Sequence, residues 1–80
     1  MIRIYADFNS TDEHGRVLLN TVGSREDLER HKNQLAEGQT ILLYMTEEFT
    51  VTGILAFDGV WMGVPDWDTI RYETSEDSQE

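Results

Sequence analysis

The residues best able to do chemistry gather in the last third of this sequence. Trp61, Trp67 and Tyr72 stand there with Asp58, Asp66 and Asp68 between them, and Tyr44 joins from the apolar run before. An indole face takes a guanidinium by cation–π stacking, and a neighbouring carboxylate can pair with the same group. Tyr44, Trp61, Trp67, Tyr72, Asp58, Asp66 and Asp68 are therefore the candidate binding residues, suited to a basic protein partner. The plainer alternative is that Trp61 or Trp67 packs under a helix or over the end of a sheet, as large aromatics in small domains usually do. Strand alternation bears on this. If Val60, Met62 and Val64 face the core, Trp61 faces outward.

Other chemistries find less support. There is no cysteine. Ser10, Ser24, Ser75 and Ser78 lie outside any nucleophile-elbow motif, and His14 and His31 are isolated in the sequence. Asp58, Asp66, Asp68 and Glu73 are the densest set of oxygens, yet they lack calcium-loop spacing. Asp66 or Asp68 serves more simply as an acceptor for backbone N–H groups in the turn after Pro65. The "TDEH" stretch at 11–14 reads as a solvent-facing turn. No glycine-rich loop precedes the helix, and Glu26, Asp27 and Glu29 would repel an anion at its start. The sequence calls for no catalytic residue, no metal and no cofactor.

These residues need elements to position them. "IRIYADF" alternates, with Ile2, Ile4, Ala6 and Phe8 on one face, and predicts a half-buried strand. "RVLLN" predicts a second, paired with the first as a hairpin across "NSTDEHG". "SREDLERHKNQLAEG" predicts one surface helix near residues 25–36, with Ser24 as N-cap, Asp27 as its capping partner and Gly38 as C-cap. Glu26 and Arg30 form a favourable i,i+4 pair there. "QTILLYMT" is apolar on both faces, which marks a central strand or an edge that pairs with a second copy. "FTVTGILAF" follows, with Gly53 marking a bulge or a close backbone approach. Asp58-Gly59 turns the chain into "VWMGV", Pro65 stops that strand, "PDWD" makes a 3₁₀-like turn, and "TIRY" is a short last strand.

The expected fold class is α+β: a small, mainly antiparallel, strongly curved sheet or partly open barrel of five to six strands with one surface helix. Residues 1–73 form a single domain, and the acidic stretch 74–80 is expected to be disordered. From Gly38 to Ile70 the chain resembles the second half of a Src-homology-type small barrel. The shared features are the strand "ILLYM", the tryptophan of "DGVW", Gly63, and Pro65 before a short turn. That resemblance implies a barrel topology and, in the family's manner, a groove for proline-rich peptides at Trp61 and Pro65. Met62 stands where the family doubles its tryptophan, and Asp68 where it has a tyrosine.

Composition bounds the function. Eighty residues make one domain with a small core, and the sequence offers no disulfide to support it. Sixteen acids against six basic residues give a net charge of −10. That charge disfavours nucleic acid and anionic membrane as partners, because phosphate neutralisation needs Lys and Arg. No apolar run is long enough to span a bilayer, and the N-terminus has no signal-peptide layout, so a soluble, cytoplasmic protein is expected. The best functional expectation is a non-enzymatic protein–protein interaction domain with an aromatic and acidic surface. The alternative is an acidic inhibitor, antitoxin-like protein or nucleic-acid mimic, which would need its acids in a stripe. A small metal-dependent enzyme ranks last.

Overall fold

The computed structural model describes residues 1–72. The element order is β1 (Arg3–Tyr5), β2 (Val17–Leu18), α1 (Val22–Arg30), β3 (Thr40–Met45), β4 (Phe49–Phe57), β5 (Trp61–Pro65) and β6 (Arg71–Tyr72), with 3₁₀ turns at Lys32–Gln34 and Trp67–Thr69. The strands form one curled sheet, a half-barrel, in the order β1-β3-β4-β5-β2, and β6 pairs with β4. The expected small α+β class is thus observed. The expected 74–80 tail lies outside the described residues.

Two pairings differ from the sequence reading. β1 lies parallel to β3, with Arg3 opposite Leu42 and Tyr5 opposite Tyr44. β2 lies antiparallel to β5, with Val17 opposite Gly63. The hairpin with β2 is made one segment later, by residues 10–12. Thr11 bridges Val17, Leu18 N–H donates to Ser10 C=O at 2.8 Å, and Asp12 N–H donates to Arg16 C=O at 2.9 Å. Asp12 holds this turn with its carboxylate, which accepts the Arg16 N–H and guanidinium and the His14 N–H. Ser10–Asp12 continue the chain that leaves β1, so this run links one edge of the sheet to the other and curls it.

The core fills the concave side. Ile4, Ala6, Val17, Leu19, Leu28, Ile41, Leu43, Val51 and Leu55 make one buried cluster. The alternation read in β1, β3 and β4 is the one observed, because each has a buried face to specify it. β3 is central, between β1 and β4. In β5 the reading reverses. Gly63 lies opposite Leu55 and against Leu43, so Gly63 and Trp61 face the core. Met62, opposite Ala56, takes the other face and is still only 2% exposed, whereas Val64 is exposed. Gly63 decides the matter, since the space a side chain would need is already filled by Leu43.

The helix also starts and ends earlier than expected. Thr21 is the N-cap, its Oγ1 accepting the Ser24 N–H at 3.3 Å, and Ser24 is buried inside the first turn. The helix stops at Arg30, and Gly38, with φ of 84°, serves a turn before β3. Gly23 explains the early start. A Cβ there would lie 2.9 Å from the Tyr5 ring, so the first turn can rest directly on β1.

Candidate functional site

Three places on the barrel carry the candidate residues. The first is the junction of α1 with the free edge of β1. Ile2 and Ala6 turn their main-chain groups toward β3, accepting from Leu42 N–H and donating to Tyr44 C=O, each at 2.9 Å. Tyr5 therefore turns its own groups to the outer edge. Asp27 Oδ2 accepts the Tyr5 N–H at 2.9 Å, and the Ser24 hydroxyl donates to the Tyr5 C=O. Two helix side chains one turn apart thus occupy the edge as a strand would. Asp27 is 5% exposed. It also accepts the Tyr44 hydroxyl at 2.8 Å and the Arg30 guanidinium. Asp27 is thus a structural anchor and not the capping partner of Ser24, and Arg30 pairs with it instead of Glu26. Burial and the Asp27 carboxylate hold the Tyr44 phenol above its ordinary pKa, since both disfavour a second negative charge.

The second place is the end of the barrel at the β4–β5 turn. Trp61 is half-buried against the core and meets Phe57 edge-on at 5.0 Å. With Leu19, Leu28, Arg25 and Val60 the pair borders a groove of about 320 Å³. Asp58 stands in the turn beside them.

The third place is the opposite end, at the start of β4. Phe49 lies opposite Tyr72 across the β4–β6 pair, their rings 6.0 Å apart. Phe8 packs on Phe49 at 4.8 Å, and Trp67 caps both at 5.4 and 6.1 Å. Trp67 is 50% exposed and Tyr72 69%. The bonding around the 3₁₀ turn explains why Trp67 stands out. β5 and β6 both run along β4, and the chain between them leaves the ladder. Asp66 N–H donates to Thr52 C=O, and the Thr69 hydroxyl accepts the Thr52 N–H, each at 2.8 Å. The residues between are pushed outward, and Asp66 Oδ1 accepts the Asp68 N–H at 3.2 Å. The sequence reading of Asp66 as a turn acceptor matches this bond.

The structure therefore brings Trp67, Tyr72, Asp66 and Asp68 to one end. It places Trp61 and Asp58 at the other, and sets Tyr44 at the helix junction. Phe8 and Phe49 belong with Trp67 and were not singled out by the sequence reading. Their signal was phase: Phe49 opens β4 on its inward face, and Phe8 continues the inward phase of Ile4 and Ala6 beyond the end of β1. Five carboxylates sit on the segments that carry this aromatic end: Asp7 beside Phe8, Glu47 and Glu48 before Phe49, and Asp66 and Asp68 around Trp67. Glu47 has φ of 64°, the left-handed region that favours glycine. Among the described residues no group of three His, Cys, Asp or Glu is placed to hold a metal ion. No helix is long and apolar enough to cross a membrane. Comparison with protein-family models, with curated proteins and with solved structures returns no match for this chain.

Proposed function

We propose that this chain is a non-enzymatic interaction domain that takes an arginine-bearing segment of a protein partner on the aromatic end formed by Phe8, Phe49, Trp67 and Tyr72. The observation that carries this reading is Trp67. It is held out from the sheet by a bond on each side, Asp66 N–H to Thr52 C=O and Thr52 N–H to the Thr69 hydroxyl, braced by two phenylalanines, half exposed, and flanked in the chain by Asp66 and Asp68. A guanidinium stacked there can pair at once with Asp66 or Asp68, and a positively charged partner complements segments on which carboxylates outnumber cations. Arg71 is the one cation on these segments.

The Src-homology-type resemblance bears on the same question. A proline-rich ligand in that family's manner would use Trp61 and Pro65 together with tyrosines. Here Trp61 meets Phe57 and Pro65 lies opposite Gly53, while Tyr44 and Tyr72 are on other strands. The aromatic end offers a more exposed surface, and the proposal is made there. The reading as an acidic inhibitor or nucleic-acid mimic rests on charge alone. Glu26 and Glu29 on α1, Asp58 in a turn and Asp66 in another favour no single stripe.

The test uses two short peptides of equal charge, one with two arginines and one with two lysines, titrated while tryptophan fluorescence is followed. The arginine peptide should bind more tightly, and Trp67→Ala should weaken it about tenfold or more while circular dichroism stays unchanged. Added salt should weaken both peptides. Equal binding of the two peptides, or of wild type and Trp67→Ala, would reduce the surface to general charge attraction and remove the proposal.

A further inference from the structure

A second groove has a lining of the opposite sign. The groove of about 790 Å³ between α1, β1 and the start of β3 is lined by Arg3, Arg30, Gln34, Gln39, Thr40 and Tyr44, with Asp27 at its floor. In a chain with net charge −10 this lining is cationic. Among the described residues Asp27 is its one carboxylate. That carboxylate is buried and already takes three donors, from Tyr5, Tyr44 and Arg30. The two arginines thus outweigh it.

Arg3 is the decisive residue. Its guanidinium lies 4.6 Å above the centre of the Tyr44 ring, and it makes no ion pair among the described residues. The Tyr44 ring is itself fixed, because its hydroxyl is bound to Asp27 and its edge meets Tyr5 at 5.7 Å. A guanidinium held by its face keeps its N–H edge free, and that edge fits the two oxygens of a carboxylate or phosphate. Little side-chain order remains to be lost on binding. Arg3 shares the outward backbone phase of Tyr5, but Asp27 and Ser24 reach only Tyr5, so the Arg3 N–H faces the same open edge. Arg30 is anchored through Nη1 and leaves its other nitrogens to the groove, and its side chain is exposed. The space is that of a metabolite-sized ligand.

We infer that this groove binds a small molecule through an oxyanion, carboxylate or phosphate, held between Arg3 and Arg30. The site does not depend on the aromatic end, which could fail as a partner surface without affecting it.

The experiment is a titration of ¹⁵N-labelled full-length protein with citrate and, separately, with inorganic phosphate. Ionic strength is held near 0.15 M with sodium chloride, where surface charges more than about 8 Å apart are screened. The expected result is saturable movement of the Arg3, Arg30, His31 and Thr40 amide signals with at least one of the two anions. Arg3→Met keeps an apolar stem on Tyr44 and removes the fork, and should weaken binding about tenfold or more. Arg25→Met removes the same charge from the separate groove beside Phe57 and Trp61 and should leave the affinity as it is. Saturation by citrate alone marks a carboxylate site, by phosphate alone a phosphate site, and by both a general oxyanion site. Movement that never saturates with either anion, or that persists in Arg3→Met, overturns the inference. So does equal weakening in Arg25→Met.

Discussion

Asp27 shows how one residue can hold an element in place. A buried carboxylate is costly unless its oxygens are bonded. Here the backbone of β1, the phenol of Tyr44 and the guanidinium of Arg30 supply the donors. Tyr44→Phe removes one of them and keeps the ring beneath Arg3. We expect a loss of about 1–3 kcal/mol in urea unfolding at neutral pH, the usual result of leaving a buried acceptor short of a partner. The pH dependence follows from the phenol, whose pKa is raised in the folded state. A proton bound more tightly when folded stabilises the fold fully below the unfolded pKa, near 10, and that contribution is lost as pH rises through the folded value. The gap between wild type and Tyr44→Phe should therefore stay constant from pH 6 to 9 and narrow above 10. Parallel curves through pH 11 would show that the Tyr44–Asp27 bond has no such role. Asp12 has the opposite sign. Its carboxyl is held below its ordinary pKa although desolvation acts against this, because the Arg16 and His14 donors outweigh it. Its contribution to the turn is lost as pH falls.

At the scale of elements, the core of the sheet is built around Leu43. A Cβ on Gly53 would lie 2.8 Å from Leu43 Cδ1 and 3.0 Å from the Val64 carbonyl oxygen. A Cβ on Gly63 would lie 2.9 Å from both Leu43 δ-carbons and meets no backbone atom as closely. Leu43 thus fills the space that two neighbouring strands leave by having glycine. Each Gly→Ala change should cost about 1–3 kcal/mol by overpacking, and Leu43→Ala about 2–5 kcal/mol. The double variants should separate the two glycines. With Leu43→Ala present, Gly63→Ala should become nearly neutral, whereas Gly53→Ala should keep part of its cost against Val64. Additivity at Gly63 within about 0.5 kcal/mol would mean that Leu43 is not what excludes a side chain there. The sequence made much of this level legible. Alternation placed the faces of β1, β3 and β4, Asp58-Gly59 placed a turn, and Gly53 announced a close approach. It did not show that β1 runs parallel to β3, because that partner lies far along the chain and leaves no local mark. It also misplaced the helix, since Thr21, Val22 and Gly23 are weak helix formers that tertiary contact with Tyr5 overrides. A polar signal for the junction was present: Ser24, Asp27, Leu28 and His31 share one helix face, and the apolar stripe there is too thin to bury alone. The candidate site was legible by residue type but not by grouping. Trp67 and Tyr72 were found, while Trp61 and Asp58 were assigned to the same surface because sequence proximity hid the length of β4.

For the molecule as a whole, that length is what separates its two aromatic ends. Phe49 and Phe57 lie eight residues apart on β4, about 26 Å along an extended strand. Each leads an aromatic group, and the two groups differ in burial. Trp61 packs on the core cluster beside Leu19 and Leu28, so its end closes the barrel. Trp67 covers Phe8 and Phe49 and leaves half its own surface to solvent, so its end presents a face. Two alanine substitutions should therefore divide stability from binding. Trp61→Ala should cost about 2–4 kcal/mol in urea unfolding, somewhat below a fully buried tryptophan, and leave arginine-peptide affinity unchanged at temperatures where the variant is folded. Trp67→Ala should cost about 1 kcal/mol or less and carry the loss of binding. Because the sites share no neighbour, the double variant should equal the sum within about 0.5 kcal/mol. If Trp67→Ala proves the more destabilising of the two, its end is a structural lid over Phe8 and Phe49, and the division of labour between the ends is wrong.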